Sequence, residues 1–282
     1  MSTFNTIGIL AHPRRPQTFP VANQIAGQLQ ARGVSTWVYA DWTEPDVREA
    51  VQKADLVVAI GGDGAMLRAA RVCAPWGVPV LGVNMGNLGF LTEIDDPTNC
   101  APHFNRLLDG DHWIETRMMV QAIVRRDGEI ITEEEALNDM VISRSLITNT
   151  ARLEMYIDQD WATTYNADAL IIATPTGSTA YNLSAGGPIV QPNVDALLLT
   201  LIAPHTLTNR PIVIPSNVTV RVKPTMEERD ELFVTFDGQV GFQLEPNDEV
   251  EVRCADVPLR LIKPSTRSYF EVLRTKLKWG ER

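Results

Sequence analysis

The sequence predicts an α/β plus all-β chain: an N-terminal domain on a doubly wound parallel sheet, then a C-terminal β-sandwich. Three observations carry this. The early chain alternates apolar β-branched runs with amphipathic stretches of helical period, a pattern that gives a helix-covered parallel sheet. From Trp113 to Ile262 short β-rich runs follow one another with no long helical pattern between them. Ser268 to Trp279 then returns to helix character, with Lys and Arg towards its end, and is expected to dock back on the first domain. The expected division is residues 1–113 with the tail 266–282, and residues 114–265.

In chain order, Thr6–Ala11 is a first apolar strand, with Arg14 and Arg15 beyond its C-terminal end. Open α/β sheets put their ligands at that end, so both are candidate phosphate contacts; two solvated loop arginines are an equal reading. Val21, Ile25 and Leu29 fall on one face of a helix from Pro20 to Arg32, ended by Gly33. Val34–Tyr39 reads as a strand and Glu44–Ala54 as a helix. Leu56–Ile60 is a continuous apolar run, a strand buried on both faces. Val78–Val83 is the next strand, and a helix from Pro97 to Leu108 closes the domain. The β-rich runs beyond it are Thr116–Val124, Ala151–Ile157, Trp161–Tyr165, Ala169–Ala173, Ala196–Ile202, Val218–Val222, Leu232–Phe236 and Val250–Cys254. Asp127-Gly128 and Asp237-Gly238 are hairpin turn signals between them.

With 282 residues, 44% of them hydrophobic, the chain can bury a core in each of two domains. A formal net charge of -10 argues against a nucleic-acid surface, which rests on clustered Lys and Arg. A phosphate-handling protein of this charge must place its few cations locally or borrow a metal ion. The three cysteines, Cys73, Cys100 and Cys254, form no C-x-x-C and read as reduced thiols. No signal-peptide pattern opens the chain and no apolar run is long enough for a bilayer, so the expectation is a cytoplasmic protein without membrane attachment.

The chemistry centres on Gly61-Gly62-Asp63-Gly64, between a buried strand and a run of good helix formers. A strand, a glycine turn and a helix start suit a phosphate, because free N–H groups and the helix dipole favour an anion there. A carboxylate in that cradle would repel phosphates unless it carries Mg²⁺ for a nucleoside polyphosphate or takes a proton from an attacking hydroxyl. Taken alone, Asp63 could equally cap a helix beginning near Ala65. A second glycine loop, Asn84–Leu91, lies at the same end of the sheet.

Asn138-Asp139 sets an amide beside a carboxylate at the edge of a β run. Neighbouring side chains on a strand point to opposite faces, so both reach one ligand only where the chain bends; a turn Asn-Asp is the plainer reading. Thr174-Pro175-Thr176-Gly177-Ser178-Thr179-Ala180-Tyr181 is more specific, placing four hydroxyl residues and a stacking ring after a buried strand. His205 is the most tempting acid–base residue, though a lone His is more often structural. No H-E-x-x-H, Cys/His cluster or G-x-S-x-G is present, so zinc and serine hydrolase chemistry has no support.

In these motifs the chain resembles the bacterial members of the NAD kinase family. The matching residues are Gly61–Gly64, Asn84–Leu91, Asn138-Asp139, Thr174–Tyr181, Gly186-Gly187-Pro188, Pro204–Leu207, Asp237-Gly238-Gln239 and the tail Tyr269–Leu277, in order along nearly the whole chain. The resemblance implies an active site at the junction of the two domains. It implies transfer of the ATP γ-phosphate, with a divalent cation such as Mg²⁺, to the 2′-hydroxyl of the adenosine ribose of NAD. Asp63 would accept the proton, with Gly64 at the ribose; Gly61 and Gly62 would face the ATP phosphates. Arg68, expected on the first turn of the helix after the loop, is a further phosphate and dinucleotide contact. Asn138 and Asp139 would hold ribose hydroxyls. Thr179, Ala180 and Ser184 would line the adenine pocket with Tyr181 against a ring, and Asn182, Leu183 and Gln239 would complete the NAD site. Asn149, Asp168 and Ala203 would contact the dinucleotide, the last two from a neighbouring subunit of a homodimer or homotetramer. Many relatives carry a basic residue two positions before that aspartate; here it is Asn166, which bears on the choice between NAD⁺ and NADH. A lipid or sugar kinase with the same glycine loop is the enzymatic rival, and a dinucleotide-sensing module the rival without chemistry.

Overall fold

The computed structural model describes residues 4–40, 42, 45–86, 89–145, 150–226, 231–264 and 268–279. The chain divides into two compact units, Met1–Thr116 with Val257–Arg282, and Arg117–Asp256.

The first unit opens with β1 (Thr6–Leu10), α1 (Thr18–Ala31), β2 (Ser35–Tyr39), α2 (Pro45–Gln52), β3 (Leu56–Gly61), α3 (Asp63–Cys73), β4 (Val80–Asn84), α4 (Ala101–Leu108) and β5 (Trp113–Arg117). Its sheet runs β2-β1-β3-β4, then the late strand Leu259–Lys263, then β5. The pairs β1–β2, β1–β3, β3–β4 and the bridge from β4 to Leu261 are all parallel. Side-chain alternation explains why helices cover both faces. Ile7, Ile9, Val58, Ile60, Leu81 and Val83 pack with Ile25 and Leu29 of α1 and Phe104 and Leu107 of α4. Gly82 points the other way, against Met66 of α3, and its missing side chain lets that helix close on the sheet. The sheet therefore ends with its loops, not its strands, available to a ligand.

The second unit is antiparallel. It contains β6 (Val120–Arg126), β7 (Glu129–Ala136), β8 (Asp139–Arg144), β9 (Ala151–Ile157), β10 (Asp160–Ala167), β11 (Ala169–Ala173), the short α5 (Tyr181–Ser184), β12 (Ala196–Ile202), β13 (Ile212–Pro215), β14 (Val220–Thr225), β15 (Leu232–Phe236), β16 (Val240–Leu244) and β17 (Asp248–Cys254). These form two sheets, β10-β9-β14-β17-β6-β7 and β13-β12-β11-β8-β15-β16. Val124, Leu153, Val222 and Val250 of one sheet share a core with Ile142, Leu170, Leu199 and Phe236 of the other. The opposite face of β8, β11 and β12, carrying Val141, Ile171 and Leu198, is covered by Ala185 and Val190. The stretch after β11 thus lies on the sandwich and is held by it.

The strand Leu259–Lys263, β18, returns to the first unit's sheet, and α6 (Tyr269–Leu277) follows it. Ser268 caps α6 reciprocally with Glu271: the Ser268 hydroxyl accepts from the Glu271 N–H at 3.2 Å, and the Glu271 carboxylate accepts from the Ser268 N–H at 2.7 Å. Lys276 of α6 lies 5.5 Å from the centre of the Phe90 ring, so the helix docks on the second glycine loop of its own unit. No helix among the described residues is long and apolar enough to cross a membrane. Burial raises the Cys73 and Cys100 thiols above their ordinary pKa, the latter to about 11, so both stay protonated.

Sequence reading and structure differ in instructive places. The run Thr116–Val124 is not one strand: β5 ends at Arg117 and β6 begins at Val120. The hydroxyl-rich stretch after β11, for which the sequence reading predicts no helical element, winds into a 3-10 turn over Thr176–Thr179 and then α5. Helix α3 begins at Asp63 and not near Ala65, because extended Gly62 serves as its N-cap. Arg68 is therefore on the second turn of the helix, not the first.

Candidate active site

In the first unit, the residues singled out from sequence converge at the C-terminal ends of β1 and β3. Asp63 is the first helical residue of α3, after the N-cap Gly62. Its two side-chain oxygens accept backbone N–H groups of the second glycine loop, Oδ2 from Phe90 and Oδ1 from Leu91, each at 3.0 Å. The two loops are joined again where the Met85 N–H donates to the Gly61 carbonyl at 3.1 Å. Gly89 makes the approach possible: a Cβ there would run into the Asp63 carboxylate and the Thr92 hydroxyl. Asn87 and Leu88 of this loop lie outside the described residues.

Positive charge gathers around His12, beside the glycine turn. His12 follows β1, with its ring near Gly61, and its Nδ1 accepts from the Arg14 N–H at 3.1 Å. Burial lowers the His12 pKa, and the Arg68, Arg15 and Arg14 guanidiniums push it the same way. His12, next to the glycine turn, thus has three arginines within electrostatic reach in a chain of net charge -10. Arg14 and Arg15 are exposed and Arg68 is half-buried. His12 was no sequence candidate for phosphate. Its place after the first strand, next to two arginines, is the signal that was there to read.

In the second unit the Asn138-Asp139 pair lies where β7 gives way to β8 through a two-residue bend at Leu137 and Asn138. Its carbonyls are held from one side. The Thr174 hydroxyl donates to the Leu137 carbonyl at 2.6 Å and the Thr174 N–H to the Asn138 carbonyl at 2.8 Å. Gly177 presses on that same Asn138 carbonyl, leaving no room for a side chain, and its N–H donates to the Thr174 hydroxyl at 3.1 Å. Asp139 is 4% exposed, and burial together with the neighbouring Asp237 carboxylate pushes its pKa up to about 7.

The hydroxyl-rich turn divides its labour. Thr174 and Ser178 are turned inward; the Ser178 hydroxyl both donates to and accepts from the backbone of Val190 at 3.0 Å. Asn182 is fully buried: its amide donates to the Ser178 and Pro188 carbonyls, and its oxygen accepts from the Thr200 hydroxyl at 2.7 Å. Thr179, Ala180 and Leu183 are half-buried, while Tyr181 and Ser184 are exposed, the tyrosine at 49%. The outward half of the turn is therefore held by the inward half.

Asn166, Asp168, Ala203 and His205 form a second exposed group on this unit. The Asp168 N–H donates to the Ile202 carbonyl at 2.9 Å, and the His205 N–H to the Asn166 carbonyl at 3.0 Å. Ala203 between them has φ 46, a left-handed conformation that costs an alanine roughly 1–2 kcal/mol. Gln239 is half-buried just past the Asp237-Gly238 turn. Asn149 lies outside the described residues. Among the described residues no group of three or more His, Cys, Asp or Glu side chains is placed to hold a metal ion.

A glycine turn at a helix start with an anchored carboxylate, and an Asn-Asp bend gripped by a hydroxyl-rich turn, fit a nucleotide phosphotransferase. The profile of the ATP-NAD kinase N-terminal domain matches residues 18–112, and that of the ATP-NAD kinase C-terminal domain residues 137–264. The chain is 41% identical to the NAD kinase of Geotalea daltonii over 288 residues, spanning 98% of this chain and 99% of that one. It is 44% identical to the NAD kinase of Geobacter sulfurreducens over 283 residues, with 98% and 99% covered. In fold it is similar to yeast NADH kinase complexed with NADH, with a TM-score of 0.88 at 24% identity over 99% of this chain and 88% of that one. It is likewise similar to an NAD kinase from Archaeoglobus fulgidus in complex with ATP, with a TM-score of 0.78 at 21% identity over 97% and 98%. The chain belongs to the ATP-NAD kinase family and is an enzyme of ATP-dependent NAD phosphorylation.

Proposed function

We propose that Asp63 is the proton acceptor in transfer of the ATP γ-phosphate to the 2′-hydroxyl of the adenosine ribose of NAD. The 2′-oxygen forms a bond to the γ-phosphorus as the bond to the β-phosphate oxygen breaks. The hydroxyl proton passes to Asp63 and ADP leaves. One observation carries the reading: the Asp63 carboxylate, at the start of the helix after the glycine turn, is fixed by the Phe90 and Leu91 amides of the second glycine loop. A carboxylate oxygen holding one amide still has a lone pair for a hydroxyl proton.

Around that step, Gly61, Gly62, Arg14, Arg15 and Arg68 receive phosphates and Gly64 lies against the ribose. Phosphoryl transfer gains most of its rate from such positioning and charge. Asn138 and Asp139 hold ribose hydroxyls. Thr179, Ala180 and Ser184 line the adenine, Tyr181 stacks on a ring, Asn182 shapes the turn from within, and Leu183 and Gln239 complete the pocket. Asn149, Asn166, Asp168 and Ala203 meet the dinucleotide, Asp168 and Ala203 from a second copy in a homodimer or homotetramer. A Mg²⁺ carried on the ATP phosphates would offset charge on the transferring group. Asp63 is an oxygen donor of the kind Mg²⁺ takes, and its part here is to receive the proton. The enzyme works in the cytoplasm.

The test is one assay with the purified chain, ATP, Mg²⁺ and either NAD⁺ or NADH, reading the 2′-phosphorylated product. Product from NAD⁺ that disappears in Asp63→Asn supports the assignment. Undiminished turnover in that variant removes Asp63 from its role. The NADH lane reports what Asn166 does to selectivity.

A further inference from the structure

We infer that Asp237 is a positioning residue for dinucleotide binding: its carboxylate holds the Leu137–Asp139 bend in the shape that lets Asn138 and Asp139 address one ligand. The inference rests on the reading of Asn138 and Asp139 given above.

Consecutive strand residues point to opposite faces, so Asn138 and Asp139 can serve a single ribose only at a departure from strand geometry. Such a departure exposes backbone donors that a buried bend must satisfy. Asp237 meets all of them at once. Its Oδ2 accepts from the Leu137 N–H at 3.0 Å, and its Oδ1 accepts from the Asn138 N–H at 2.7 Å and the Asp139 N–H at 3.3 Å. Three successive amides converge on one carboxylate, as in a backbone anion nest. Thr174 holds the two carbonyls of the same bend, so the bend is gripped on both sides.

The hairpin places Asp237 for this task. Strands β15 and β8 pair antiparallel with Phe236 opposite Met140, which brings the next residue level with Asp139. The Asp237 N–H donates to the Asp139 carbonyl at 3.0 Å, closing the contact from the other direction. Asp237 and Gly238 have φ 51 and 61, the paired left-handed turn of a tight hairpin, and Asp and Asn tolerate that conformation better than other side chains. A hairpin alone would be served by Asn-Gly. The carboxylate is the part the turn does not need, and it has a neighbour that makes it unfavourable, the buried Asp139 carboxyl. An anion kept beside another buried acid, with three amides on it, is holding the bend.

The test uses the full chain and the variants Asp237→Asn and Asp237→Ala. Asparagine keeps the shape, the tolerance for positive φ and one acceptor oxygen, and so guards against simple misfolding in the alanine variant. NAD⁺ dissociation is measured by calorimetry, KM for NAD⁺ and ATP by steady-state assay, and melting temperature by fluorescence. The expected result is about tenfold weaker NAD⁺ binding and a matching rise in KM for NAD⁺ in Asp237→Asn, with KM for ATP within about twofold of wild type. Unchanged NAD⁺ affinity in Asp237→Asn overturns the inference. So does an equal rise in both KM values tracking a loss of melting temperature. A wild-type chain that binds NAD⁺ without forming NADP would refute the catalytic reading while the Asp237 comparison still stands on affinity; one that does not bind NAD⁺ would refute both.

Discussion

The Asp63 carboxylate accepts the Leu91 N–H at 3.0 Å across 28 residues of sequence, which ties the two glycine loops of the first unit into one structure. A freely rotating aspartate at a helix start would sample several rotamers and spend much of its time bonded to its own helix. Two amides from another loop remove that freedom and set where the carboxylate can meet a hydroxyl.

Replacing Asp63 with Asn removes the proton acceptor and one of the two amide contacts. The amide keeps one acceptor oxygen for the loop but cannot take a proton. Turnover should fall on the order of 10³-fold, the usual range for loss of a general base, with NAD⁺ affinity within about threefold of wild type. Single-turnover kinetics and a calorimetric NAD⁺ titration read the two quantities. A parallel loss of affinity would mean that Asp63 serves binding and not the chemical step.

Gly89 tests the same loop from the other side. A methyl group there collides with the Asp63 carboxylate and comes within 2.7 Å of the Thr92 hydroxyl, so Gly89→Ala must push the Phe90 and Leu91 amides away. Turnover should drop roughly 10–100-fold because a reacting group displaced by about 1 Å loses that much. The melting temperature should fall only slightly, since the strain is confined to a loop. Full activity in Gly89→Ala would show that the amide grip is dispensable.

Thr174 links the two motifs of the second unit. Its hydroxyl is fully buried, donates to the Leu137 carbonyl and accepts from the Gly177 N–H. Thr174→Val keeps the shape and strands both buried backbone groups, at about 1–3 kcal/mol of stability. Thr174→Ser should recover most of it. Denaturant unfolding of the three proteins gives the comparison, and a valine variant as stable as wild type would contradict the hydrogen-bond assignment.

These relationships mark what the sequence could and could not disclose. Leu56–Gly61 was legible because a strand buried on both faces must be apolar throughout, and Ala169–Ala173 for the same reason. The Glu129–Ala136 strand was not, since its adjacent Ile130 and Ile131 are both exposed and the run of glutamates after Thr132 leaves no alternation to read. Asp63, Asn138 and the Thr174–Tyr181 turn were visible as motifs, but the grips that fix them are backbone bonds between segments distant in the chain. Asp237 illustrates the limit: Asp-Gly announces a hairpin whatever its carboxylate does, and only the pairing of β15 with β8 shows which amides it meets. His12 is similar, as its nearness to Arg68 depends on β1 and β3 being sheet neighbours.

Asp139 gives the stability of the protein a pH dependence of known sign. Burial, and then the Asp237 charge, raise its pKa to about 7 in the folded chain, whereas the unfolded chain has an ordinary aspartate near pH 4. A raised pKa means the folded state holds the proton more tightly. Its contribution to stability is therefore complete below about pH 4, and is lost progressively as the pH rises through about 7. Asp139→Asn has no proton to lose. Its unfolding free energy should match wild type near pH 4 and exceed it at pH 8, by on the order of a few kcal/mol at most, since a pKa unit is worth about 1.4 kcal/mol. Denaturant unfolding of both proteins at a series of pH values measures the gap. A gap that stays constant across the range would mean Asp139 is already ionised at low pH in the folded protein, and that its surroundings supply donors strong enough to offset both burial and the Asp237 charge.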